Sequence, residues 1–116
     1  MKRTRLVALV VAAALALGIG WMAHRQITPN VGRYLAGADG SHLVVLDGSP
    51  IVMASENEAQ FRGLSDGDLI LIFNDGIETS FPGRTGVYAC LRLASGNAAD
   101  IPSETLEELR QLGWLD

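Results

Sequence analysis

The stretch GLSDGDLILIFNDGIETSFPGRTGVY, residues 63–88, decides the fold, because it joins two Asp-Gly pairs to a continuous apolar run and a Phe-Pro-Gly-Arg corner. Two-residue hairpin turns need positive φ angles, which glycine adopts without strain and aspartate tolerates. The run Asp68–Phe73 presents apolar side chains to both faces of an extended chain, as a central barrel strand does. The stretch therefore predicts tightly turning antiparallel β-structure.

Further strand candidates flank this stretch, and all are short apolar runs bounded by Gly, Asp or Pro. They cover residues 33–38, 42–46, 51–54 and 87–93, with 77–79 as the start of another. Alternation places four apolar side chains of the last run on one face: Val87, Ala89, Leu91 and Leu93. This run is expected to be a half-exposed strand.

Two other segments complete the predicted fold. Residues 55–67 are a polar connection in which Phe61 and Leu64 are expected to be buried. The tail SETLEELRQLGWL has helical spacing, with Ser103 as a cap and Gly113 as a stop. Its apolar stripe consists of Leu106, Leu109 and Leu112. The predicted fold class is mainly β, a small five-stranded antiparallel barrel with a C-terminal helix.

The N-terminus predicts a membrane-directed helix. Residues 1–5 are basic, and residues 6–23, LVALVVAAALALGIGWMA, contain no charge. As a helix these eighteen residues span roughly 27 Å, against about 30 Å for the hydrocarbon core of a bilayer. Basic residues before such a span stay in the cytoplasm, so everything after residue 25 is expected to be exported.

Two outcomes remain open for this helix. If it is retained, it is a single-pass anchor with Trp21 and Arg25 at the outer interface. If it is a signal peptide, Leu6–Leu17 is the apolar region and Gly18-Ile19-Gly20 is the processing site, which gives a secreted form. The predicted organisation is a signal-anchor or signal peptide at 1–25, a linker at 26–32, a barrel at 33–96, and a loop and helix at 97–116.

Charge restricts the partners. Residues 26–116 carry five arginines against thirteen acidic residues, a formal charge of −8. Nucleic acids bind lysine and arginine that replace their counterions, so no nucleic-acid partner is expected. The lone thiol, Cys90, cannot form an intramolecular disulfide.

The span Gly63–Leu93 resembles the YobA-like family, small exported bacterial proteins of unknown function. The residues that carry the resemblance are Gly63-Leu64, Gly67-Asp68, Asp75-Gly76, Glu78 and Phe81-Pro82, with Thr79-Ser80 adding a residue to the family's corner. The upstream ADGSHLVVL is similar to the family's first hairpin, so the resemblance covers about residues 33–93.

The resemblance implies a small OB-like five-stranded barrel on the outer face of the membrane, often lipid-anchored. This chain departs from the family pattern because it lacks the anchoring cysteine. The family transfers no catalytic residues and no cofactor.

Few residues offer chemistry. A Cys90–His42 dyad would need both side chains within hydrogen-bond reach, and zinc would need three or four ligands. Asp66 and Asp68, with Asp75 or Glu78, could hold calcium or act as paired carboxylates in glycoside hydrolysis. Structural turn chemistry accounts for the same residues, so neither a metal nor a catalytic residue is predicted.

The predicted contact surface is the barrel rim, formed by the loop 55–67 and the corner 80–86, and the corner is its most suggestive part. Arg84 lies between two glycines after Pro82, where its guanidinium group could bind a carboxylate or phosphate. The predicted contact residues are therefore Arg84, Asp66, Asp68 and Glu78. The predicted function is a non-enzymatic, membrane-anchored binding module for an envelope protein or a small anionic ligand. The alternative is an accessory subunit that associates through its anchor and C-terminal helix.

Overall fold

A computed structural model describes the chain from residue 2 to residue 116, with the side chains of residues 2–3 and 18–25 outside the description. A long N-terminal helix precedes five strands and a short C-terminal helix. The elements are α1 (Lys2–Arg25), β1 (Thr28–Ala36), β2 (His42–Leu46), β3 (Ser49–Ala54), a 3₁₀ turn (Glu58–Phe61), β4 (Leu69–Asn74), β5 (Gly83–Ala94), a second 3₁₀ turn (Ala98–Asp100) and α2 (Ser103–Gln111).

The five strands close into a barrel in the order β1-β2-β3-β5-β4. The predicted small barrel with a C-terminal helix is thus confirmed, but the expectation that every pair is antiparallel is wrong. β3 and β5 run parallel, with Ile51 opposite Gly83 and Ala54 opposite Gly86. The chain reverses direction on entering β4 and reverses again on entering β5. β5 therefore runs in the same direction as β3.

β1 begins at Thr28, inside the segment predicted to be a linker. It pairs with β4 from Thr28 opposite Asn74 to Arg33 opposite Leu69. Only two residues separate it from α1. Gln26 has a positive φ of 57° and Ile27 is buried. Pairing with a distant strand therefore overrides the turn-like composition of this segment.

The Asp-Gly pairs play different roles. Asp47 and Gly48 both have positive φ, 48° and 79°, and join β2 to β3 as the predicted two-residue hairpin. Asp75 and Gly76 instead open an eight-residue corner, residues 75–82, that leads from β4 to β5. The corner contains a cis Phe81–Pro82 peptide bond.

An irregularity in β5 changes which side chains share a face. Val87 lies opposite Asn74 and is buried in the barrel, while Ala89 lies opposite Phe73. The register shift between these pairs is a β-bulge, which adds one residue and reverses the alternation. Leu91, opposite Leu71, therefore points outward, and the prediction that it shares a face with Val87 is wrong.

Apolar side chains form two clusters on either side of the sheet. The barrel interior holds Tyr34, Val44, Ile51, Met53, Phe61, Ile70, Ile72 and Val87. The second cluster lies outside the barrel, where α2 packs on β1, β2 and β3 through fully buried Leu109, and nearly buried Ile101, which precedes the helix, joins the cluster. We call this surface the covered face. The predicted helix is confirmed, although Pro102 rather than Ser103 occupies the cap position.

α1 extends away from the barrel. As a result the molecule is elongated and measures 62 Å along its long axis and 27 by 24 Å across. Among the residues whose side chains are described, no helix is both long and apolar enough to cross a membrane. The predicted span 6–23 reaches into residues 18–25, so Trp21 and the Gly18–Gly20 processing site lie outside the described side chains.

Candidate functional site

The four predicted contact residues fall into two groups at opposite ends of β4. Asp66 and Asp68 precede the strand, while Glu78 lies in the corner that follows it and Arg84 lies at the start of β5. Six strand residues at about 3.3 Å each separate the two groups by roughly 20 Å. The structure therefore does not bring the predicted residues together in one site.

Asp68 is a buried structural carboxylate. Its two oxygens accept hydrogen bonds from the backbone N–H groups of Ser65 at 2.9 Å and Gly96 at 3.1 Å. Arg92 Nη1 lies 3.7 Å from Asp68 Oδ2. The hydrogen bonds from Ser65 and Gly96 lower the pKa of this carboxyl, and Arg92 lowers it further. Asp68 thus joins the two loops beside β4 and is not offered to a ligand.

Asp66 also acts on the backbone, because its Oδ1 accepts a hydrogen bond from the N–H of Ala36 at 2.9 Å. Calcium needs six to eight oxygen ligands, and these two carboxylates are already engaged by amide groups. No group of three or more His, Cys, Asp or Glu side chains within the described residues is placed to hold a metal ion. The geometry gives the calcium alternative no support.

The corner end of β4 is different, because exposed charges surround an open depression. Glu78 and Arg84 are paired through their backbones, with the Glu78 N–H donating to the Arg84 carbonyl at 2.8 Å. Both side chains are exposed and line a depression of about 490 Å³. Gln26, which directly follows α1, lines the same depression.

A second depression of about 770 Å³ adjoins the first, since both include Ala54 and Gly86. β3 pairs with β5 only as far as these two residues, and beyond them β5 pairs with β4 alone. The chain that leaves β3 through Ser55–Asn57 therefore opens a notch beside Tyr88. We call the two depressions together the rim groove. Its walls are residues 54–57 on one side and 75–88 on the other.

A buried polar network holds the groove wall in place. Asn74 is fully buried, accepts a hydrogen bond from Asn30 at 2.8 Å, and donates to Thr85 Oγ1 at 3.2 Å. Asp75 Oδ1 accepts a hydrogen bond from the Gly86 N–H at 2.8 Å. A methyl group on Gly86 would lie 2.7 Å from Asp75 Oδ2, so glycine permits this approach.

Sequence reasoning missed this network and Tyr88. The segment Asn74-Asp75-Gly76 is typical of a turn, so it gave no indication that Asn74 is buried. Tyr88 is the extra residue of the bulge in β5 and lies on the groove, where its O–H lies 3.4 Å from Asp75 Oδ2. Its exposed fraction is 49%.

The Cys90–His42 pair has no catalytic geometry. His42 Nδ1 is hydrogen-bonded with the Tyr34 hydroxyl, and its ring stacks on Phe61 with centroids 4.5 Å apart. Burial raises the pKa of the Cys90 thiol, so the thiolate that a nucleophile requires is disfavoured. Burial, followed by the charge of Asp66, raises the pKa of Tyr34 to about 12.

Comparisons of the chain with models of protein families, with curated proteins and with solved structures gave no match. The assignment of a role to the rim groove therefore depends on its own geometry and charge.

Proposed function

We propose that the chain is a membrane-tethered extracytoplasmic protein whose barrel is a non-enzymatic binding module for an envelope protein. The strand order β1-β2-β3-β5-β4, with β3 parallel to β5, supports an OB-like barrel. Proteins of that architecture use the face of strands 2 and 3 and the loops beside it to bind extended ligands.

One observation carries the choice of surface. The outer face of β2 and β3 is the covered face, where Leu43 and Leu109 are both fully buried. A ligand at that position would have to displace α2 and expose a hydrophobic cluster. The rim groove is open and polar, so the contact surface is assigned to the groove.

The charge of the groove favours a protein partner over a small anion. Glu56, Asp75 and Glu78 line it, against a single Arg84. An anion would meet a net negative surface, whereas a polar protein segment with a basic residue would find complementary charge. Tyr88 adds an aromatic side chain of the kind that concentrates binding energy at interfaces.

The proposed membrane tether is the N-terminal helix, α1. α1 is 24 residues long, and every described side chain from residue 4 to residue 17 is exposed, including Leu6, Leu9 and Leu17. Leucines that are exposed along this described part of the helix fit a lipid environment. Cleavage of residues 1–20 would give a secreted form of the same module. The YobA-like resemblance stays a prediction.

The alternative of an accessory subunit that docks through its C-terminal helix has less support. Leu109 is fully buried, and Leu106 is packed against the barrel. Two of the three stripe leucines are thus used inside the protein. Leu112 is 56% exposed, and the other exposed residues of the segment are mainly charged.

The test is in-cell photo-crosslinking of the full-length chain followed by mass spectrometry. A photoreactive residue replaces Tyr88 in one variant and Leu112, exposed directly after α2, in a control. The expected result is one dominant protein adduct at position 88 that is lost when Glu78→Arg is added, together with recovery of the chain in the membrane fraction. Equal adducts at both positions would overturn the groove assignment.

A further inference from the structure

β5 has an unfilled strand position beside the larger depression of the rim groove. The strand is 12 residues long, but β3 pairs with it only along residues 83–86. From Val87 onward β5 pairs with β4 on one side, and within residues 2–116, which the structure describes, no strand pairs with it on the other side. We call the side of β5 that β3 leaves at Val87 the open edge.

The carbonyl group of Val87 points toward the open edge. Neighbouring Gly86 points the other way, because its N–H donates to Asp75 Oδ1 at 2.8 Å and its carbonyl accepts from the Asp75 N–H at 3.0 Å. Successive residues of a strand direct their N–H and C=O groups to opposite sides. The Val87 carbonyl is therefore the first acceptor of β5 beyond the pairing with β3.

A side-chain amide stands at this acceptor in place of a strand. Gln60 Nε2 lies 3.5 Å from the Val87 carbonyl oxygen and also donates to Ser55 Oγ. An ordinary N–H···O hydrogen bond is about 2.9 to 3.0 Å long, so Gln60 engages this carbonyl only weakly. Because the Gln60 side chain can rotate away, a main-chain N–H from another segment can take its place.

The depression beside the open edge has room for a short strand. Its walls are residues 54–57 and 86–88, and its volume is about 770 Å³. One strand residue fills roughly 160 Å³ at the spacings of strands and packed sheets. The depression therefore accommodates about four extended residues.

The side chains beside the open edge favour a basic segment. Among the described residues that line this depression only Glu56 is charged, and the Tyr88 hydroxyl lies 3.4 Å from Asp75 Oδ2. The Tyr88 side chain is 49% exposed, and the face of such a ring attracts cations. An arginine or lysine of the added strand would thus meet complementary charge at Glu56 and an aromatic surface at Tyr88.

We propose that the partner binds by adding an extended segment of about four residues, one of them arginine or lysine, as a strand along the open edge of β5. This inference rests on the proposed function and specifies how the partner is held. A main-chain N–H of the segment replaces Gln60 at the Val87 carbonyl, and the basic side chain lies against Glu56 and Tyr88. In this mode of recognition main-chain hydrogen bonds supply the affinity, and alternate side chains supply the specificity.

The test uses the isotope-labelled full-length chain in dodecylphosphocholine micelles and the capped peptide acetyl-Thr-Arg-Val-Thr-amide as the probe. Threonine and valine favour an extended backbone. NMR spectra are expected to show saturable shifts of the backbone amides of residues 86–88 and of the Gln60 side-chain amide, with a Kd of roughly 1 mM, because a few main-chain hydrogen bonds bind weakly. The side-chain amide of Gln111, exposed on α2, is the internal control and should not shift.

Modified probes separate strand addition from charge attraction. N-methylation of the first and third residues blocks one edge of the peptide, and N-methylation of the second and fourth blocks the other. Only one edge faces β5, so one of these probes should bind at least about tenfold more weakly than the other. Replacement of the arginine by glutamate should abolish binding. Equal binding of the two N-methylated probes, or binding of the glutamate probe as tight as that of the original, would overturn the inference.

Substitution of Gln60 tests its competition with the added strand. Gln60→Ala removes the amide that stands at the Val87 carbonyl, so the Kd of the probe is expected to fall several-fold. Gln111→Ala makes the same change at an exposed position of α2 and should leave the Kd unaltered. A Kd that stays the same or rises in Gln60→Ala would show that no strand replaces Gln60 there.

The in-cell adduct at position 88 separates failure of this inference from failure of the proposed function. If the adduct forms but the probe causes no shift at about 10 mM, strand addition is overturned and the groove assignment stands. If no adduct forms at position 88, the proposed function is overturned, and the inference falls with it.

Discussion

The two ends of β4 are built from similar sequences, Asp66-Gly67-Asp68 before the strand and Asn74-Asp75-Gly76 after it, but only one is open to a partner. At the first end both carboxylates accept hydrogen bonds from backbone amides. At the second end the buried polar network ends at Asp75, and the exposed charges of Glu78 and Arg84 lie beyond it.

The difference comes from distant segments of the chain. Asp66 and Asp68 meet N–H groups of Ala36 and Gly96, which belong to the end of β1 and to the loop after β5. Within the described residues, no backbone amide of a distant segment donates to the Glu78 carboxylate, and Glu78 and Arg84 line the groove instead. An aspartate beside a glycine is therefore a candidate for binding only where its carboxylate accepts no hydrogen bond from a loop backbone amide.

The largest expected effect on the stability of the fold comes from substitution of Gly67. Gly67 has a φ of 89°, and a Cβ there would overlap the backbone of Asn97. Gly67→Ala is expected to destabilise the fold by at least about 3 kcal/mol, because left-handed strain and overpacking add. At Gly76 a Cβ would meet nothing within 4 Å. Urea unfolding should show Gly76→Ala within about 0.5 kcal/mol of the original protein.

This pair tests the claim that the first end of β4 is closed and the second is open. Comparable losses in the two variants would contradict it, because the same change would then meet similar packing at both ends.

The next effect concerns the buried network at the groove. Asn74→Ala removes an acceptor from Asn30 and a donor to Thr85, and it leaves their polar atoms without these partners. A loss of about 2 to 3 kcal/mol is expected in chemical denaturation, since an unsatisfied buried polar group costs about 1 to 3 kcal/mol. Asn57→Ala, at an exposed position of the groove, is the control. A loss below that of the control would show that water replaces the network.

Local patterns account for the elements that the sequence predicted well. The run His42–Leu46 is bounded by turn residues, and the leucines of α2 repeat at helical spacing, so each element is specified by its own residues. The start of β1 at Thr28, the bulge near Val87 and the parallel closure of β5 on β3 all depend on strand pairing between distant segments. A single sequence gives no signal for these pairings.

The candidate site divides in the same way. Proline and glycine are typical of a turn at the surface, so the Phe-Pro-Gly-Arg motif predicts that Arg84 and nearby Glu78 are accessible. Both residues are exposed in the structure. Ser55 and Tyr88 line the same depression only because β3 stops pairing with β5 at Ala54. Their convergence could not be predicted without the barrel topology.

A smaller effect is expected from pH at the first end of β4. The folded-state pKa of Asp68 is lowered from its ordinary value of 3.8 by the hydrogen bonds from Ser65 and Gly96. The charged form thus stabilises the fold at pH values above 3.8, and this stabilisation is lost as the pH falls through the folded-state pKa. Asp68→Asn should therefore be less stable than the original protein near pH 7, with the difference shrinking below pH 3.8. A difference that is constant across this range would show that the charge of Asp68 does not contribute.

The smallest effect on stability is expected at the open end, from charge reversal in the rim groove. Arg84 and Glu78 are exposed, so Arg84→Glu and Glu78→Arg should each change the free energy of unfolding by no more than about 0.5 kcal/mol. Partner capture should nevertheless fall in Glu78→Arg, which replaces a groove carboxylate with a positive charge, whereas Arg84→Glu makes the groove more negative and should retain capture of a basic segment. Unfolding midpoints and in-cell adducts measured on the same variants separate these two effects. If Arg84→Glu destabilised the barrel as strongly as Gly67→Ala, the corner would be structural like the first end of β4, and the contrast between the two ends would disappear.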